Sequence, residues 1–356
     1  MECSVNPAGQ PCQVVDRVAR RNMQQFPSIT VEVTRGDMVE CRHSVRCAVV
    51  DADGSVVEQF GDSEAVVYPR SSIKPIQALP FIESGAADAC FAATHEVALS
   101  CASHNGEVAH ASHVAAWLSR LGMGEGDLEC GAHRPLFADA TDALVRADRT
   151  PDAFHNNCSG KHAGFLATAK HLGENPRGYI GRNHAVQKRV RAAIESLCGT
   201  DLRDAPEGID GCGIPVIAMP LVAFAQGLAK MAEPAALTGD RATAIRRIVD
   251  AMIAAPEMVA GTERFDTDVM AAGDSIACKT GAEGVFAAIL PKQSLGIALK
   301  VDDGATRASE AAIAAMLLRH ANPTTAQGAV LESYANKPIT NAAGRVVGTV
   351  RAVLPV

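Results

Sequence analysis

Two serines and two lysines stand where they could share protons. Ser71 and Lys74 lie three residues apart within Tyr68-Pro-Arg-Ser-Ser-Ile-Lys-Pro-Ile-Gln-Ala-Leu79, a spacing that puts both side chains on one face of a helix. A serine hydroxyl is a weak nucleophile until a base takes its proton, and an amine of lowered pKa can be that base. Farther along come Ser103-His-Asn105 and Lys279-Thr-Gly281. A Ser103–Lys279 couple facing Ser71–Lys74 would put two amines in one pocket. Each then depresses the other's pKa, which makes a usable base near neutral pH. Ser71 is the candidate nucleophile and Lys74 its base, with Ser103 and Lys279 relaying a proton to the leaving group. Taken singly, each match reads as a helix cap or an exposed strand end; the three in order carry more weight.

A second constellation joins Asn156-Asn-Cys-Ser-Gly-Lys-His162 to Ile209-Asp-Gly-Cys-Gly-Ile-Pro215. Cys158 and Lys161 are three apart at an expected helix start, and Cys212 sits in a glycine-flanked turn. Two thiolates are natural zinc ligands. A lysine binds metal only as a neutral amine, a form that a nearby cation favours. The spacing is not that of an ordinary zinc site, which shows Cys-x-x-Cys or Cys with His. Asp210 is placed to receive a substrate's amino group, or else it is a turn aspartate.

These residues need elements to hold them. Tyr68-Pro69 favours extended backbone, Ser71 or Ser72 can cap a helix, and Pro75 suits its first turn. Pro80 is expected to kink that helix and Ser84-Gly85 to stop it. Strands are expected at Ile29–Val33, at Val45–Val50 with Ser55–Phe60 as a hairpin, and at Ala65–Tyr68. Later strands are expected at 275–279, 285–290, 295–301 and 345–353. Periodicity of three and four predicts helices at 106–121, 138–147, 160–171, 184–197, 215–231, 241–254 and 307–319. Strands at both ends with helices between predict an α/β (α+β) chain. The expected parts are an N-terminal extension 1–28 containing a basic helix at 14–25, a discontinuous sheet domain 29–70 and 272–356, and a mainly helical domain 71–271. The active site is expected between the two domains.

Composition narrows the function classes. The 356 residues are 47% hydrophobic and 21% charged, with net charge -7 and 4% aromatics. That balance is poor for nucleic-acid binding, and no apolar run reaches membrane-spanning length. No secretory signal pattern is visible at the N-terminus, so a cytoplasmic setting is expected, with the 11 cysteines reduced and mostly buried.

The three serine–lysine motifs correspond to the S-x-x-K, S-D-N and K-T-G signatures of class A β-lactamases and penicillin-binding proteins, with His104 in the middle position of the second. More specifically, Pro69-Arg-Ser-Ser-Ile-Lys-Pro-Ile-Gln77, Cys101-Ala-Ser-His-Asn-Gly-Glu107, Asn157-Cys-Ser-Gly-Lys-His162, Asp210-Gly-Cys-Gly-Ile-Pro215 and Cys278-Lys-Thr-Gly-Ala-Glu283 resemble the class 3, rhizobial-type L-asparaginases. The resemblance runs from about Thr30 to the C-terminus. It implies a fold like serine β-lactamases and glutaminases, with an antiparallel sheet flanked by helices. It also implies hydrolysis of L-asparagine by the tandems Ser71–Lys74 and Ser103–Lys279. A zinc ion on Cys158, Lys161 and Cys212 is implied, with Asp210 near the substrate, and so is a homodimer. Arg70, His104, Asn105, His162, Thr280 and Gly281 are the further substrate-binding candidates. Family members carry a cysteine near an Arg-x-x-Thr segment; this chain has Arg264-Phe-Asp-Thr267 there, so that cysteine is dispensable or replaced. The alternatives are another β-lactamase-like amidohydrolase (glutaminase, esterase or peptidase) and a non-catalytic zinc- or amino-acid-binding protein.

Overall fold

The computed structural model describes residues 26–237 and 239–355. The expected N-terminal extension lies outside them except for residues 26–28, and so does its basic helix. The strands are β1 (Ile29–Arg35), β2 (Met38–Asp51), β3 (Val56–Phe60), β4 (Val66–Val67), β5 (Glu207–Ile209), β6 (Pro215–Ile217), β7 (Met219–Pro220), β8 (Ala277–Thr280), β9 (Val285–Leu290), β10 (Leu295–Val301), β11 (Asn336–Thr340) and β12 (Val346–Val353). Eight of them form one sheet in the order β11-β12-β1-β2-β10-β9-β8, with β3 also on β2. Every pairing is antiparallel.

β2 binds this sheet together. Its first half pairs with β1, and its second half pairs with β10 and β3. The central strands are covered on both faces, which is why β9 reads Val-Phe-Ala-Ala-Ile-Leu without alternation and is buried throughout. Helix Leu221–Ala232 packs on β2, β9 and β10, and helix Thr306–His320 packs across β1, β2, β9, β10 and β12. Between β3 and β8 the chain is mainly helical. No helix among the described residues is long and apolar enough to cross a membrane.

Several expectations change. β2 begins at Met38 rather than Val45, because its outer half alternates exposed Glu40, Arg42 and Ser44 with Cys41 and His43, inward residues that are not apolar. The helix expected over 215–231 is two short strands followed by Leu221–Ala232; Pro220 cannot sit inside a helix but can precede one. The helix Thr325–Ala335 and the exposed edge strand β11 were not expected, since β11 carries Lys337 and Pro338 and shows no inward apolar face.

Candidate active site

The segment bearing Ser71 is delivered by the two-strand contact of β4 with β7, in which Val67 pairs with Met219. Arg70 follows with φ +49, a left-handed conformation that costs a non-glycine residue about 1 kcal/mol or more and persists only where its surroundings hold it. Here Arg70 Nε donates to Asp210 Oδ1 at 3.0 Å. The expected helix start is a 3₁₀ turn, Arg70–Ile73, followed by helix Lys74–Gln77. Side chains at i and i+3 eclipse in a 3₁₀ turn, so Ser71 and Lys74 share a side. Neither serine caps the helix. Ser72 Oγ turns back to the Pro69 carbonyl at 2.5 Å, while the half-buried Ser71 keeps its hydroxyl for other use. Pro80 breaks the helix at Ala78 and starts Leu79–Glu83, and Gly85 ends it at φ +79, as expected.

Lys74 is fully buried, and its amine meets three acceptors: Ala102 O at 2.5 Å, Ser103 Oγ at 2.8 Å and Cys158 Sγ at 3.1 Å. The segment Ser103–Asn105 is fixed from three sides by backbone bonds from Ser103 N to Val259 O, His104 N to Asn157 O and Asn105 N to Ala260 O. The couple expected between Ser103 and Lys279 is therefore drawn differently. The Ser103 hydroxyl bonds Lys74, and the Lys279 amine bonds the Thr280 carbonyl at 2.8 Å.

Lys279 nevertheless lies near enough for the charges of Lys74 and Cys158 to act on its amine. It lies on β8, the edge strand of the sheet, whose end packs on the Arg70–Ile73 turn. Gly281 permits that fit: a Cβ there would come within 3.1 Å of Pro69 O and Ser72 N. Burial pushes the Lys279 amine down to about 7. Asp266 opposes this, and Lys74 and Arg264 add to it. The backbone N–H groups that follow Lys279 are engaged, Thr280 N by Asp266 Oδ1 at 2.6 Å and Gly281 N by Val285 O at 2.8 Å.

The cysteine constellation adjoins Lys74. Helix Ser159–His171 carries Lys161 and His162, and the hairpin β5–β6 presents Asp210 and Cys212 at its tip. Lys161 Nζ lies 3.0 Å from Cys212 Sγ. A hydrogen bond from Cys158 and the charges of Lys161 and Lys74 overcome burial and hold Cys212 as the thiolate, at about 4. Burial works against the Lys161 charge, but Cys212 and Cys158 raise its pKa above the usual lysine value. Burial also works to raise Asp210, yet Lys161, the Gly211 N–H, Arg70 and Lys74 keep it below the usual carboxylate range. Gly160 sets this approach: a Cβ on it would lie 2.4 Å from the Leu99 carbonyl oxygen, at the end of helix Thr94–Ser100 just before Ser103. Gly160→Ala is expected to cost about 3 kcal/mol by overpacking against backbone, read as a fall of several degrees in Tm with loss of activity.

The remaining candidates divide. His104 accepts from Gly106 N through Nδ1 and contacts Ser159 Oγ at 2.9 Å through Nε2. Both ring nitrogens are spent inside the protein, and burial holds the ring neutral. Asn105 is likewise consumed by Glu107, Thr262 O and Arg264. These two build the loop that holds Ser103, with their polar atoms engaged inside the protein. His162 bonds Tyr179 Oη at 2.6 Å through Nδ1, and its buried Nε2 has no partner among the described residues. Sequence reasoning missed Tyr179, and it named Arg264 and Asp266 only as members of the Arg264-Phe-Asp-Thr267 segment, with no role. It also missed Cys130, whose thiol is raised to about 12 by burial and by Cys158 and Cys212. None of these carries a spacing signature; they are found only by proximity.

Among the described residues, no group of three or more His, Cys, Asp or Glu side chains is arranged to hold a metal ion. Two thiols plus the Lys161 amine form a different donor set, and its chemistry suits a zinc ion with one open position.

Residues 31–352 match the family described as L-asparaginase II. No curated protein matches the chain. Similar solved structures include a β-lactamase from Mycobacterium bovis, 13% identical, with 82% of this chain and 94% of that one covered and a TM-score of 0.39. A β-lactamase from Sphaerobacter thermophilus is 14% identical over 82% and 89% of the two chains, with a TM-score of 0.35. The native form of Mglu is 14% identical, with a TM-score of 0.42; 77% of this chain and 60% of that one are covered, so the chain spans less than two thirds of it.

Proposed function

This chain belongs to the L-asparaginase II family, and from that premise we propose that it hydrolyses the side-chain amide of L-asparagine to L-aspartate and ammonia. The observation that carries the reading is the buried Lys74–Ser103 pair, with half-buried Ser71 on the turn that leads into Lys74 and a second buried amine, Lys279, within range of the Lys74 charge. A structural core gains nothing by burying two amines, since desolvating a charged group is costly.

Ser71 Oγ attacks the carboxamide carbon and its proton passes to Lys74. The tetrahedral intermediate collapses as the C–N bond breaks, and the nitrogen takes a proton through Ser103, which Lys74 reprotonates. Ammonia leaves a β-aspartyl ester on Ser71. Water, deprotonated by a neutral amine, attacks that ester and frees aspartate and the serine. The paired Arg70 and Asp210 suit a zwitterion, the guanidinium facing the α-carboxylate and the carboxylate facing the α-ammonium.

Cys158, Lys161 and Cys212 would hold a zinc ion, and the ion would supply a fixed positive charge that orients the substrate's α-groups. Ligation would release the proton that Lys161 carries. A homodimer is part of the same reading.

The test is ammonia release from asparagine, glutamine and buffer alone, with a chromogenic β-lactam beside them. Asparagine is expected to be the preferred substrate, and no release from it would end the reading. Elemental analysis of the purified protein is expected to give about one zinc per chain, and chelation to lower Tm. Protein free of metal and indifferent to chelator would reject the zinc site.

A further inference from the structure

Asp266 sits in the first turn of helix Phe265–Ala271 and is 1% exposed. Its Oδ1 accepts the Thr280 N–H at 2.6 Å, but its buried Oδ2 has no partner among the described residues. A buried acceptor left unpaired costs about 1–3 kcal/mol, so this oxygen needs an explanation. The Lys279 amine is also 1% exposed and has a single acceptor, the carbonyl of the same Thr280. A strand residue sends its N–H and C=O to the same side. The Asp266 carboxylate and the Lys279 amine therefore gather along one free edge of β8, held by neighbouring groups of one residue. An ammonium has three protons to place and a carboxylate has lone pairs to fill; here each is short of what the other has.

We propose that Asp266 is a positioning residue, whose Oδ1 anchors the Thr280 N–H while Oδ2 is the acceptor to which the Lys279 ammonium swings when the amine takes up a proton. This rests on Lys279 being the neutral amine that deprotonates water in the reaction proposed above. Neutral Lys279 returns to the Thr280 carbonyl and serves as base; protonated Lys279 is parked on Oδ2 and neutralised. The charged and titratable groups around this amine are Asp266, Lys74, Arg264 and Cys158, with the thiols of Cys101 and Cys278 adjoining. Asp266 is the carboxylate among them, so its removal should be felt directly.

Two measurements test this. Crystals of the unaltered enzyme at pH 5.5 should show Lys279 Nζ within about 3.2 Å of Asp266 Oδ2, and crystals at pH 9 should show it back on the Thr280 carbonyl. An amine still on Thr280 O at pH 5.5 overturns the proposal. In Asp266→Asn the amide oxygen still accepts from Thr280 N, but the negative charge is gone. The rising limb of kcat/KM against pH should move about one unit lower. A fall in kcat at every pH with the limb unmoved would mark a purely structural role and overturn the proposal. If the variant fails to fold, the crystals decide. If the unaltered enzyme releases no ammonia, the function falls while the crystals still judge the Asp266–Lys279 contact.

Discussion

Ser71→Ala is expected to abolish ammonia release from asparagine, by a factor on the order of 10⁴ or more, with the fold untouched. The size follows from the role. Without the hydroxyl no acyl-enzyme can form, and what survives is binding and electrostatics alone. The fold should not notice, because the half-buried Ser71 oxygen is not the capping group of its turn; the bond back to Pro69 O belongs to Ser72. A stability change within about 0.5 kcal/mol is expected. Circular dichroism and Tm check the fold, and a coupled ammonia assay checks the activity. A variant retaining a tenth of the activity would remove Ser71 from the role of nucleophile.

The second large effect concerns Lys74. Lys74→Met is expected to cost about 10³-fold or more in kcat, through loss of the general base. Stability should change little. The variant leaves the Ala102 carbonyl without its bond from Lys74, at about 1–3 kcal/mol, and is spared the desolvation of a buried amine, an opposing term. Lys74→Arg makes the comparison decisive. A guanidinium keeps the positive charge beside Ser103 and Cys158 but cannot give up its proton. If Lys74 is a base, arginine is as inactive as methionine. If arginine restores activity to within tenfold of the unaltered enzyme, the residue supplies charge alone.

The candidate positions stand out in the sequence because each lies in a short motif with glycine, proline or fixed spacing around it. Ser71 and Lys74 fall in one turn, and Cys158 and Lys161 at the start of one helix. What spacing could not give was the pairing between motifs. That Lys74 rather than Lys279 reaches Ser103 depends on how the end of β8 meets the Arg70–Ile73 turn, and only the folded sheet fixes this. His104 and Asn105 looked like pocket residues because they adjoin Ser103. Their polar atoms are instead consumed in pinning Ser103 between neighbouring loops. Asp266, quoted only within Arg264-Phe-Asp-Thr267, carried no role for the opposite reason: a lone aspartate at a helix start reads as a favourable charge near the helix dipole. Among the elements, β9 and β10 stood out as apolar runs, whereas β11 and the outer half of β2 lacked an apolar stripe to betray them.

The sheet joins distant parts of the chain, Thr30 against Val353 and Val45 against Val301. Contacts of such long range are slow to form, and helical segments with local contacts precede them. During synthesis the Ser71 turn and the helices after it therefore emerge and can settle while β1 and β2 still wait for partners. Their open edges are the hazardous surface of that interval. The newborn chain holds Ser71 and Lys74 but not the strand that brings Lys279. On the proposed mechanism, reactivity arrives only once β8 has joined the sheet.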